Sequence, residues 1–152
     1  MLLIRSQSLA RPLEYPKTRY APSPVIDLSA RAERERLSRA GLKAFFVIMA
    51  RWHVRDEDAR VLLGGVSNGP FYEMKRDPDR VLEADRLTRV SYLVGIFKAL
   101  GILYSEKLAD AWIQLPNRNP MFGGATPLAF MAHGGLPAMQ SVRRLLEARR
   151  AG

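Results

Sequence analysis

The chain has 152 residues, 47% of them hydrophobic, with a formal charge of +9 and no cysteine. That length allows one compact domain or two very small ones, and the apolar share excludes wholesale disorder. The absence of cysteine excludes a disulfide frame or a thiolate site and makes a reducing cytoplasm the default, while the excess of cations favours a polyanion such as DNA, RNA or an anionic membrane surface.

Residues 1–27 carry Pro12, Pro16, Pro22 and Pro24 among basic and polar residues. Proline fixes φ and removes a donor, so a flexible or extended arm is expected there. Only four apolar residues precede Arg5, too few for a signal-peptide core, and no apolar run approaches a membrane span. Helix is expected from Asp27 to Val54, charged in its first half and apolar in its second at Leu42, Phe45, Phe46, Ile48, Met49 and Trp52. Gly41 is expected to divide it in two.

Asp56, Glu57 and Asp58 suit the positive end of a helix dipole, with Ala59, Leu62 and Leu63 inward and Gly64-Gly65 as the stop. Ser67 or Asn68 then caps a helix that tolerates Pro70 in its first turn. Phe71 and Met74 fall on one side of it; Tyr72, Lys75 and Arg76 fall on the other. The most apolar helix is predicted from Leu82 to Tyr104. Its two stripes, Leu87-Val90-Val94-Phe97 and Leu93-Ile96-Leu100-Leu103, mean burial on two sides. A helix from Glu106 to about Leu115 ends before Pro116. Thr126-Pro127 opens a short helix that Gly134 ends, and Leu136 to Arg150 is amphipathic, with Val142, Leu145 and Leu146 inward. No alternating strand pattern or internal repeat appears, so the fold class is all-α.

No constellation of catalytic groups emerges. His53 and His133 are far apart in sequence and outside any HExxH pattern. The acidic trio at 56–58 points in different directions around a helix. GGATP lacks the lysine and spacing of a phosphate loop. The chain is read as no enzyme, with no cofactor and no metal. From Arg55 to Asp77 the order helix, glycine turn, helix matches a helix-turn-helix, whose second helix enters the major groove of DNA. Ser67, Asn68, Tyr72, Lys75 and Arg76 are the candidate DNA-binding residues. An ordinary helical hairpin with a solvated basic face fits the local sequence as well; the overall charge favours DNA.

The C-terminal part carries, in order, Leu93-Val-Gly-Ile-Phe-Lys-Ala-Leu100, Ala111-Trp112, Pro116-Asn117-Arg118, Phe122-Gly123-Gly124, Thr126-Pro127-Leu128, Gly134-Gly135 and Val142-Arg143 with Leu145-Leu146. That series resembles the toxin-binding domain of the Xre/MbcA/ParS antitoxin family. Ala44 to Asp79 is similar to the family's Xre-like helix-turn-helix region, including the LLGG turn. The resemblance, covering roughly residues 40–152, implies an N-terminal helix-turn-helix region (28–80) followed by a helical toxin-binding domain (81–152). It implies an antitoxin that neutralises a RES-domain, NAD-targeting toxin by covering its active site with its C-terminal end. It also implies repression of its own promoter DNA, and a homodimer within a toxin–antitoxin hetero-oligomer. On this reading Asn117, Phe122, Arg143, Arg144, Arg149, Arg150 and Gly152 contact the toxin. The residues by themselves also fit plainer roles, Trp112 and Phe122 as core anchors, Asn117 bonding the backbone of its loop and the closing arginines as a cationic helix end that suits the dipole. The chain departs from the family in ending Arg-Arg-Ala-Gly rather than in a Gly-Gly-like tail, which leaves a small flexible tip. The alternative is a DNA-binding transcriptional regulator with no toxin partner.

Overall fold

Helix α1, Arg31–Arg51, is a single helix that runs through Gly41 without interruption. The expected division at Gly41 does not occur, and packing supplies the reason. A Cβ at this position would lie 3.3 Å from Val90 Cγ1, so glycine here lets two helices approach closely. The computed structural model describes residues 27–152; among them there are helices and turns and no strand, an all-α architecture. The arm expected at the N-terminus lies, apart from Asp27, outside the described residues.

The remaining helices are α2 (Asp56–Leu62), α3 (Asn68–Arg76), α4 (Ala84–Leu103), α5 (Glu106–Ala111) and α6 (Pro127–Ala151). Single 3₁₀ turns sit at Trp112–Gln114 and Pro120–Phe122. The helix expected to reach Leu115 therefore tightens to 3₁₀ geometry after Ala111, within the last turn before Pro116. Helix α4 is the centre of the molecule. It buries Leu87, Val90, Leu93, Ile96, Ala99 and Leu100, and it packs on α1, α5 and α6. Both apolar stripes are used, at Leu87 and Val90 in one and Leu93, Ile96 and Leu100 in the other, while Val94, Phe97 and Leu103 stay only partly buried.

Cross-helix contacts set the directions. Ser38 meets Leu82, Gly41 meets Val90 and Arg51 lies over Phe97, so α1 and α4 run the same way. Arg89 lies near Gly135, Gly95 against Arg143, and Tyr104 bonds Arg149, so the second part of α6 also runs with α4. The short α2–α3 hairpin carries the chain back between α1 and α4. One apolar cluster joins all of these elements, from Leu42 and Trp52 through Phe71 and Met131 to Leu146. It crosses the boundary between residues 80 and 81 without a gap.

One hydroxyl enters this core with both of its bonds made. Ser38, fully buried, accepts from the Leu82 backbone N–H at 2.8 Å and donates to the Arg34 carbonyl. It ties the entry of α4 to α1. Ser38→Ala leaves the Leu82 N–H unpaired away from water, and a loss of about 1–2 kcal/mol in urea unfolding is expected. An unchanged midpoint would show that the clamp contributes nothing. At the other end of α1, Arg51 bonds Asp110 and Glu106 of α5 at 3.0 and 3.2 Å. The Gln114 amide donates to the carbonyls of Trp52 and His53, where His53 turns the chain out of α1 with φ 55°.

Candidate nucleic-acid and partner-binding surfaces

The α2–α3 hairpin is built around its glycine turn. Gly64 and Gly65 have φ of 101° and 85°, a region in which residues with a Cβ are strained, so two glycines reverse the chain here without that penalty. Phe71 and Met74 bury the inner side of α3, and Phe71 meets Phe46 of α1 edge-on at 5.5 Å. Ser67, Asn68, Tyr72, Lys75 and Arg76 are all exposed. The structure thus places the five candidate DNA-binding residues together, at the start and along the outer side of α3.

Most of them are already engaged. The Tyr72 hydroxyl donates to Asp56 at 2.9 Å, and the Lys75 ammonium donates to the same carboxylate at 3.0 Å. Lys75, and then Tyr72, hold the Asp56 carboxyl below the usual carboxylate range, and the bond to Asp56 raises the Tyr72 phenol. Asn68 accepts from Arg60 at 3.1 Å. Ser67 stands at the N-cap position, yet its side chain makes no cap bond. The acidic first turn of α2 does more than oppose the dipole: Asp56 fastens α2 to α3. Such an exposed ion pair contributes on the order of 0–1 kcal/mol. Exchanging Asp56 for a phosphate at Lys75 therefore meets little resistance.

The C-terminal half is a series of short segments fixed by capped turns. Asn117 accepts from the Asn119 N–H, Asn119 from the Met121 N–H, and Thr126 from the Ala129 N–H, at 2.9, 2.9 and 3.1 Å. Asn117 is thereby a loop-shaping residue, its oxygen spent on its own turn. Phe122 sits in the core. It is 4% exposed, packed edge-on between Trp112 (6.1 Å) and Phe130 (5.2 Å). Burying so large an apolar side chain is favourable, and this burial favours the core-anchor reading of Phe122 over the contact reading.

Within α6 the chain breaks at Gly135, with φ 66° and ψ −145°, so the first helical part extends through Gly134. The second part buries Ala138, Met139, Val142 and Leu146. Its outer side presents the arginines. Arg143 is partly covered, its guanidinium 5.8 Å from the Tyr92 ring centre. Arg144, Arg149, Arg150 and Gly152 are exposed. Arg149 donates to the Tyr104 hydroxyl at 3.0 Å, and Arg150 pairs with Glu147. In place of the expected flexible tip, the helix continues to Ala151 and the Gly152 N–H bonds the Ala148 carbonyl. The helix end itself is the projecting feature. Helix α2 also packs on α6, so the hairpin and the C-terminal half share one framework.

Sequence reasoning missed two things here. The Asp56 tie depends on two elements meeting and has no local signature. The seat of Arg143 does have one: Gly95 interrupts the most apolar helix three residues after Tyr92, a spacing that puts a bare patch of backbone beside an aromatic ring.

No helix among the described residues is long and apolar enough to cross a membrane. No protein-family profile and no solved structure matches the chain. A curated relative, the protein of Sinorhizobium fredii named "Uncharacterized protein y4oB", is 39% identical over 114 residues, covering 74% of this chain and 86% of that protein. At that identity and coverage, the chain belongs to the same family as the Sinorhizobium protein.

Proposed function

We propose that the chain is a cytoplasmic antitoxin of a type II toxin–antitoxin pair, with no catalytic activity of its own. Its partner is a RES-domain toxin that acts on NAD, and its C-terminal end covers the entrance of that toxin's active site. The α2–α3 hairpin binds promoter DNA and represses the operon, with the chain acting as a homodimer inside a larger toxin–antitoxin assembly. The observation that carries this reading is the end of α6. An exposed helix terminus bearing Arg149 and Arg150 is held in direction by Gly135, by the Met139-Val142-Leu146 stripe and by the Arg149–Tyr104 bond. A rigid, cationic, solvent-facing helix end suits insertion beside the acidic and polar groups of a nucleotide pocket, because guanidinium pairs well with carboxylate. The series of motifs from Trp112 to Gly135 supports the same reading by resemblance.

Co-expression with the RES-domain toxin of its operon should restore growth. Deleting residues 149–152, which are exposed, should abolish that rescue while the helical spectrum and melting temperature stay close to those of the intact chain. A shortened protein that still protects cells removes the C-terminal mechanism. Lys75→Ala with Arg76→Ala should lower promoter affinity about tenfold or more and reduce the salt dependence by about two phosphate contacts, leaving rescue intact. If promoter binding occurs but no toxin complex forms, a regulator without a toxin partner is the better account.

A further inference from the structure

Helices α1 and α4 leave an open groove of about 670 Å³ between them. Leu37, Ala40 and Ala44 line it from α1, and Leu87, Val90 and Val94 from α4. These are i, i+3, i+7 positions on each helix, so the groove has the form of a two-helix trough with small residues on one wall. The apolar strip continues past it: Val47 lies three residues beyond Ala44, and Ile102 four beyond Lys98. At 59% and 63% exposure these two are the most exposed large hydrophobic residues among those described.

The charged groups at the groove are both cations, Lys98 and Arg143, and no acid lines it. Neither has a carboxylate partner among the described residues. Arg143 is held in place without one. A Cβ at position 95 would lie 2.8 Å from its Cζ and Nε, so the guanidinium rests on the bare backbone of Gly95 and over Tyr92. A positioned, unpaired guanidinium beside an apolar trough is a ready receptor for a carboxylate.

We propose that this groove docks an amphipathic helix of a second protein, apolar along one face and carrying a Glu or Asp that meets Arg143 and Lys98. Charge selects this occupant. A second copy paired groove to groove would bring its own Lys98 and Arg143 to a trough that already ends in those two cations, and residues 1–26 of the same chain carry four Arg and Lys against one Glu. An acidic helix complements both the trough and its end. Docking there is independent of any role of the α6 terminus, and it survives if the toxin reading fails.

The test uses the full chain and two fluorescent 18-residue helical peptides. Both have a leucine stripe at i, i+3, i+7; one carries glutamates beside the stripe and the other carries lysines. The acidic peptide should bind at least about tenfold more tightly than the basic one, and this preference should vanish in Lys98→Gln/Arg143→Gln. Ala44→Glu should block binding of both peptides. Gly95→Ala is the sharpest variant: alanine is the better helix former, so the fold persists while its methyl displaces the guanidinium, and acidic-peptide binding should weaken about tenfold. Equal binding of the two peptides, binding of neither, or unchanged binding in Gly95→Ala overturns the proposal. So does a sedimentation mass that falls from dimer to monomer in Ala44→Glu, which assigns the groove to a second copy.

Discussion

Phe122→Ala is expected to lower the unfolding free energy by about 3–5 kcal/mol, the usual cost of opening a ring-sized cavity in a packed core. For a chain of this size that corresponds to a fall in melting temperature of roughly 6–20 °C. Phe122 is the middle ring of three, between Trp112 and Phe130. Removing it frees both neighbours and loosens the turn at Pro120–Phe122, which Asn119 caps. Thermal unfolding followed by circular dichroism checks the magnitude. Phe122→Leu separates the core role from a contact role. Leucine fills most of the space, so it should cost less than about 1.5 kcal/mol and leave partner binding intact. If the proposed antitoxin function holds, a Phe122→Leu protein of normal stability that fails to neutralise the toxin would favour the contact reading.

The fate of Phe122 illustrates what sequence shows and what it conceals. Apolar spacing and helix stops are local, and they are legible: the Leu62-Leu63-Gly64-Gly65 turn, the Thr126 cap and the buried positions Leu87, Val90, Leu93, Ile96 and Leu100 of α4 are where pattern and cap chemistry put them. The role of a single residue inside a motif is not local. Phe122 in an FGG sequence could present its ring outward or inward, and only the arrival of Trp112 and Phe130 decides. Gly41 shows the same limit. A glycine in a helical pattern weakens the helix by about 1 kcal/mol against alanine, and this suggests a break unless a partner helix approaches at that point. Val90 does approach, and no signal within residues 31–51 announces it. Ser38 is a third case, a hydroxyl in a run of charges that lies fully buried because the α4 entry needs an acceptor there. For the candidate surfaces, the residue types on α3 are legible, whereas their engagement with Asp56 and Arg60 depends on the packing of two helices.

Gly135→Ala is expected to damage the direction of the C-terminal end more than any other single methyl group. At φ 66° and ψ −145° the backbone is in a region open essentially to glycine alone, and an alanine held there costs about 1–3 kcal/mol. Relaxing into a continuous helix offers no escape. Pro137 has no N–H to complete such a helix, and its ring would clash with the carbonyl of His133, one turn back. The break is therefore enforced from both sides. Gly135 supplies the conformation, and Pro137 sits in the first turn of the following segment, where proline is tolerated. The Gly135→Ala protein must either keep the bend under strain or shift the segment that buries Met139, Val142 and Leu146 against α4. In both cases the Arg149–Tyr104 bond at the far end is weakened. Urea unfolding should register the strain, and on the proposed antitoxin function toxin neutralisation should fall well below that of the intact protein. Pro137→Ala supplies the contrast. Pro137 is exposed, alanine suits the same first turn, and the glycine still makes the bend, so stability and neutralisation should both persist. If Gly135→Ala also leaves both unchanged, the terminus does not depend on the break, and a rigid, aimed helix end is not how this protein acts.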